Sequence, residues 1–232
     1  MATYEHRYSH PLRDTGTWPP EVPPFRPPGP PTEPPGPPGP PGPQPSPILP
    51  SWEEPDPRAF EHDVADRLLA QRVVTMSGRL DDATADHVTR QLLLLGRDDP
   101  ESPISLHLSC SDSELGAALA LADAVDLAGA PVHAVVHGTL RGPAVAVLCA
   151  ATRRAAHRHA LVVLSLPEVS GAGTAARLAS LAEQHEQQVA QLCGRIAEVT
   201  GRPVDSVGSD LETGRLLSAE QAMDYGLVDE IV

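Results

Sequence analysis

From about Phe60 to its end, this chain alternates short β-rich runs with amphipathic helical ones, and that alternation restricts its fold more than any other feature. "RVVTM" (72–76), "PISLHLS" (103–109), "PVHAVVHG" (131–138) and "RHALVVLSL" (158–166) are rich in Val, Ile and Leu and read as strands. Between them, "ATADHVTRQLLLLG" has the helical period, with Asp81 or Asp82 placed to cap it, and "ELGAALALADAVDLAG" is a second amphipathic helix. Near the end, "SAEQAMDYG" has Ser218 and Gln221 in capping-box spacing and closes on Gly226, ahead of a last strand in "LVDEIV". Parallel strands need crossover connections, so the expected fold is α/β, built of βαβ units around a largely parallel sheet. Aromatic residues make up only 3% of the chain, so its layers must be packed from Ala, Val, Leu and Ile.

A long helix is expected from about Thr174 to Thr200, where Leu178, Leu181, Val189, Leu192, Ile196 and Val199 recur at threes, fours or their sums. Its length exceeds the usual range. Two readings stay open: a helix that projects and packs against a partner, and one laid over the core.

Ahead of all this, residues up to about Pro50 carry most of the 27 prolines, including "PPGPPGPPGP" at 34–43. Proline fixes φ and removes a donor, so residues 1–57 are expected to form a disordered or stiff polyproline extension, followed by one domain over 58–232. The glycine triplets are too few for a collagen helix. A plain linker and a ligand for an aromatic-lined groove are the two readings of this arm.

Charge and cysteine usage exclude several functions. The formal net charge is −14 and every Lys+Arg residue is arginine. Polyanion binding needs clustered Lys or Arg facing phosphates, which leaves no basic patch for nucleic acid or an anionic membrane. Without lysine there is no Ser-Lys dyad, Schiff base or P-loop lysine. Cys110, Cys149 and Cys193 stand far apart with no C-x-x-C pair, which fits reduced thiols rather than a disulfide framework or structural zinc. Neither metal nor cofactor is expected. "MATYEHRYSH" lacks a basic-then-apolar signal pattern, and the longest apolar run, around 144–151, is far short of the roughly 20 residues of a membrane span. A cytoplasmic location is expected.

The segments "RVVTMSGRLDDATADHVTRQLLLLGRDDPESPISLHLS" and "EVTGRPVDSVGSDLETGRLLSAEQAMDYGLVDEIV", with the helical register between them, carry a resemblance. Over about 60–232 the chain resembles the proteolytic subunits of the ATP-dependent Clp protease, serine peptidases that share a spiral α/β fold with the crotonases. The resemblance implies a spiral of βαβ units with the long helix projecting, rings stacked through that helix, and docking to an AAA+ unfoldase. It also implies a Ser-His-Asp triad, in which serine attacks the peptide carbonyl, histidine takes its proton and aspartate orients the histidine.

The residues at those positions do not supply that chemistry. Counting from Gly138, which matches the family's strand-ending glycine, the nucleophile position falls on Gly142. The base position, in the family's "I-H-Q-P", falls on Ser165 within "VVLSLP", and only the acid is kept, as Asp210. His157 and His159 stand nearby but at the beginning of that strand, where surface exposure is expected. The resemblance places oxyanion-hole donors in a glycine turn matched by Ser109, Cys110, Ser111, Asp112 and Ser113, and on the residue after the nucleophile, which is Pro143. Proline has no N–H to give, and Asp112 would bring a carboxylate to a place where negative charge must develop. Cys110 and Ser165 are the remaining candidate nucleophiles, and neither has a histidine at a fitting spacing.

Three functions are open on these grounds. The first is a non-catalytic ring member that assembles with active paralogues as homo- or hetero-oligomers; the second is an active hydrolase with a displaced site; the third is a crotonase-like binding protein. Ser105 and His107 stand where the family's unfoldase sockets usually have aromatics, which counts against direct unfoldase docking.

Overall fold

The helices over 82–98, 175–200 and 219–225 begin where their sequence supplies a capping side chain. In the computed structural model, which describes Gly29, residues 57–167 and residues 172–232, α1 spans Pro57–Ala70 and β1 Val73–Leu80. The expected proline-rich arm over 1–57 lies outside the described residues apart from Gly29 and Pro57. Helix α2, Asp82–Asp98, is capped by Asp81, whose side chain accepts from the Thr84 N–H at 2.9 Å. At its other end Arg72, in the left-handed region at φ 59°, donates to the carbonyls of Leu95, Asp99, Ser102 and Pro103 at 3.0, 2.9, 2.8 and 3.3 Å. A guanidinium thus ties the carbonyls of the last helical turn to those of the segment that follows it. The expected strand start at residue 72 is therefore corrected to Val73.

Strand β2 (Ile104–Ser113), α3 (Leu115–Asp126) and β3 (Val132–Arg141) follow. A 3₁₀ turn, Gly142–Ala144, leads into α4, Val145–Ala150. Then come β4 (Arg153–Ala156), β5 (Leu161–Leu164), α5 (Ala175–Thr200), α6 (Val204–Thr213), β6 (Arg215–Ser218), α7 (Ala219–Tyr225) and β7 (Glu230–Ile231). The sheet runs β1-β2-β3-β4-β7 with parallel pairings; β5 also lies parallel to β3, and β6 is antiparallel to β5. β3 holds two neighbours on the same side because it bends at Gly138 (φ 67°): His133–Val136 pair with β4, and Thr139–Arg141 pair with β5.

Several strand limits differ from the sequence expectation. β2 and β3 run on through "CSDS" and "TLR", and the run expected as one strand over 158–166 is a four-residue β5 preceded by a separate β4. "RRAA" has little strand propensity; it is extended because β3 offers it a ladder.

The core lies on one side of the sheet, where Ile104, Leu106 and Leu108 of β2 and Val132, Ala134 and Val136 of β3 meet Val88 and Leu92 of α2 and Leu121 of α3. Tyr225 is its one buried aromatic among the described residues. Helix α5 is long and capped as expected, with Thr174 accepting from the Arg177 N–H and Gly201 left-handed after it. Its second half buries Leu192, Cys193, Ile196 and Ala197, and Arg195 pairs with Asp126 and, at 3.7 Å, Asp123 of α3. Its first half projects: residues 175–184 are all exposed, Leu178 by 40% and Leu181 by 37%.

Candidate active site

Strand β3 delivers the chain to a sharp entry into a helix, the geometry that sets a nucleophile against a helix N-terminus. Gly142, Pro143 and Ala144 there are buried. Gly142 has φ 67°, a left-handed conformation that glycine adopts without strain. A Cβ on it would lie 3.3 Å from Ser113 Oγ, 3.5 Å from the Ser165 carbonyl and 3.6 Å from Ser165 Oγ. The nucleophile and base positions therefore adjoin, as a proton-transferring pair must, but one has no side chain and the other carries a hydroxyl rather than an imidazole.

The turn is closed by a side chain that the sequence marked only by position. Ser113, the last residue of β2, is the one polar or charged residue among the described residues that is fully buried, at 6% exposure. Its Oγ donates to the Arg141 carbonyl at 2.9 Å and accepts from the Ala144 N–H at 3.1 Å. Pro143 offers no N–H, and the Val145 N–H is bonded to the Gly142 and Pro143 carbonyls. The amides at the start of this helix are thus absent or engaged from 143 to 145, and no donor among them faces a substrate oxygen.

Ser109–Ser113, which the resemblance matches to the family's glycine turn, are continuous strand, because β2 keeps its pairing with β1 to Ser113 through one register shift. The Asp112 carboxylate is 64% exposed and pairs with Arg79 at 3.6 Å, so it is not aimed at the Gly142 turn. Cys110 is buried, donates to the Asp112 carbonyl at 2.9 Å, and has its thiol pKa raised, chiefly by burial; it is held as a neutral thiol. His157 and His159 are exposed in the turn before β5, at the opposite end of that strand from Ser165.

Asp210, on α6, is brought near the same place, since the Leu166 N–H bonds the Leu211 carbonyl at 3.2 Å and Leu164 pairs with Arg215. Its carboxylate, however, has other partners. Arg215 Nη1 donates to both oxygens, at 2.9 and 3.1 Å, and the Tyr225 hydroxyl donates to Oδ2 at 2.8 Å. Arg202 and Arg215 lie over the Tyr225 ring, 3.9 and 5.3 Å from its centre. Burial pushes the Asp210 carboxyl up, but the bonds from Tyr225 and Arg215 and the charges of Arg215 and Arg202 outweigh it and hold the group below its ordinary range. Burial and the bond to Asp210 push the Tyr225 hydroxyl to about 12. Arg215 stands five residues on, across the Gly214 helix end, a spacing that gives the one local hint of this pairing.

Among the described residues, no group of three or more His, Cys, Asp or Glu side chains is arranged to hold a metal. No described helix is long and apolar enough to cross a membrane.

A parallel sheet flanked by helices, with a strand-to-helix turn facing the ends of β5 and α6, defines an α/β protein built on a hydrolase-type site frame. The family model described as Clp protease matches residues 58–232, and the chain belongs to that family. Among its relatives are the ATP-dependent Clp protease proteolytic subunit 3 of Rhodococcus jostii (strain RHA1), 32% identical across 73% of this chain and 85% of the relative. Subunit 2 of Corynebacterium efficiens is 31% identical across 75% and 88%, and subunit 1 of Frankia casuarinae is 32% identical across 75% and 83%.

Proposed function

We propose that this chain is a non-catalytic subunit of a Clp-type proteolytic complex, joining rings with active family subunits in intracellular protein degradation and supplying no active site of its own. The observation that carries this reading is the Gly142 turn: no attacking atom at 142, no N–H at 143, and the next N–H held by Ser113. Loss of a triad member or an oxyanion donor each lowers rates by about 10² or more, and here the defects coincide. The assembly half of the proposal is supported by the exposed Leu178 and Leu181 on the projecting half of α5. It is also supported by the relatives' names: two of them, from the one organism Rhodococcus jostii, are named as subunits 2 and 3. With Ser105 and His107 in place of aromatics, engagement of an AAA+ unfoldase falls to the active subunits.

The test is to purify the chain alone and with an active subunit from the same source. Alone, it should give no cleavage of fluorogenic peptides that a serine-directed inhibitor blocks; together, the two should co-migrate as rings by native mass spectrometry. Inhibitor-sensitive turnover by the isolated chain overturns the non-catalytic half, and exclusion from every ring overturns the assembly half.

A further inference from the structure

Among the described residues, the two aromatic rings in mutual contact are imidazoles on neighbouring strands of the sheet. His107 of β2 and His137 of β3 stand 30 positions apart in the sequence, yet their ring centres lie 5.9 Å apart, with the planes tilted by 49°. The register explains the approach: His107 is the partner of Val135, so His137 lies diagonally across from it, two residues along β3 on the same face and just before the bend at Gly138. Both residues are half-buried, so the pair is supported by the sheet and still reached by solvent.

Neither imidazole is engaged in a hydrogen bond or an ion pair within the described residues. Burial first, and then the neighbouring charges of His137 and His157, push the His107 imidazole below its ordinary value, which keeps a ring lone pair free of a proton at neutral pH. His157 directly follows β4, but no three His, Cys, Asp or Glu side chains among the described residues converge on one point, so the two histidines are the donor set. Their spacing suits a shared ion. A zinc-type ion lies about 2.0–2.1 Å from an imidazole nitrogen, which puts each ring centre about 3.2 Å from the ion. Two rings sharing one ion at the tetrahedral angle are then about 5.2 Å apart, and never more than about 6.4 Å. The separation of 5.9 Å falls inside that limit, and a side-chain shift of less than about 1 Å brings both nitrogens onto one ion.

We propose that His107 and His137 together ligate one divalent transition-metal ion of the zinc, nickel or copper kind, with water in its remaining positions. Imidazole suits these ions, whereas magnesium and calcium take oxygen donors. The net charge of −14 draws cations toward the chain. Within the described residues no acceptor fixes the second nitrogen of either ring, so the expected affinity is micromolar, well short of a structural zinc site. The site lies apart from the Gly142 turn and does not depend on ring assembly.

The probes are zinc chloride and nickel chloride, added to the full chain after treatment with a chelator, at about pH 7.5, where imidazoles are unprotonated. In the unaltered chain, paramagnetic nickel at less than one equivalent should broaden the imidazole resonances of His107 and His137 together and ahead of those of His133 and His159, a readout free of any folding defect in a variant. Calorimetric titration with zinc should show one saturable site. His107→Gln and His137→Gln should each weaken it by about tenfold or more, as loss of one of two ligands requires, while His133→Gln and His159→Gln leave the affinity within about twofold. An excess of magnesium chloride should not displace the zinc. Broadening that spares His107 or His137, the absence of a saturable zinc site, zinc affinity unchanged in both Gln variants, or displacement by magnesium each overturns the proposal.

Discussion

The Gly142 turn and the first half of α5 meet opposite fates in the same chain. In the turn every polar group with a named bond is answered from within: Ser113 takes the Arg141 carbonyl and the Ala144 N–H, and Gly142–Ala144 are buried. In the first half of α5 the apolar stripe continues the period of the buried second half, yet Leu178 and Leu181 stay exposed. A site that binds substrate keeps groups unanswered until the substrate arrives; an association surface keeps apolar area uncovered until the partner arrives. The Gly142 turn has its named polar groups bonded internally, and the first half of α5 keeps its leucines uncovered.

The strongest way to break that comparison is to put the two halves of α5 to the same treatment. Ile196→Ala, in the buried half, should cost about 2–5 kcal/mol through lost burial and a cavity, read as a fall in the denaturant midpoint of the isolated chain. Leu178→Asp with Leu181→Asp should shift that midpoint by no more than about 0.5 kcal/mol, yet remove the chain from rings formed with an active subunit in native mass spectrometry. If the double variant still enters rings, the exposed stripe is not the contact surface.

The difference between what could and could not be read from the sequence follows the same divide between local and tertiary causes. α2, α5 and α7 were legible because their limits are local: Asp81 caps the first, Gly201 ends the second, and Ser218 with Gln221 and Gly226 brackets the third. β4 was not, because "RRAA" becomes strand only by lying against His133–Val136. The continuation of β2 through Asp112 and Ser113 was hidden for the same reason, as the ladder with β1 overrides a segment that reads as a turn. At the site, the family spacing places Gly142 and Ser165, and the structure sets them side by side. The Ser113 bridge and the hold of Tyr225 on Asp210 join residues 31 and 15 positions apart, and no local pattern announces them.

The closed turn can be challenged from both sides. Ser113→Ala leaves the Arg141 carbonyl and the buried Ala144 N–H without their partner, at a cost of about 1–3 kcal/mol, and hydrogen exchange at the Ala144 amide should quicken. Gly142→Ser restores a hydroxyl but places a side chain at φ 67°, 3.3 Å from Ser113 Oγ; strain should cost about 1–2 kcal/mol. It should yield no peptide cleavage, since Ser165 is no base and Pro143 no donor. Measurable cleavage by this single variant would mean that the turn retains a working site.

The smallest effect tests whether Asp210 belongs with the closed groups. Asp210→Asn removes the ion pair with Arg215, whose side chain is 45% exposed, and weakens the acceptor for Tyr225. Solvent screening holds the loss to about 1 kcal/mol at neutral pH. The pH dependence is more telling than the size. A carboxyl held below its ordinary value contributes stability that is present above that value and lost as pH falls through its folded one, so the unaltered chain and the variant should converge in acid. At the alkaline end, Tyr225 is held near 12 against an ordinary 10, and its contribution is complete below 10 and lost as pH rises toward 12. Asparagine carries no charge to hold the phenol protonated, so tyrosinate absorbance should appear at lower pH in the variant. Denaturant midpoints taken across the acid range, with that absorbance titration, check both limbs. A stability difference that stays constant into acid would detach Asp210 from Arg215 and leave its carboxylate free for another partner.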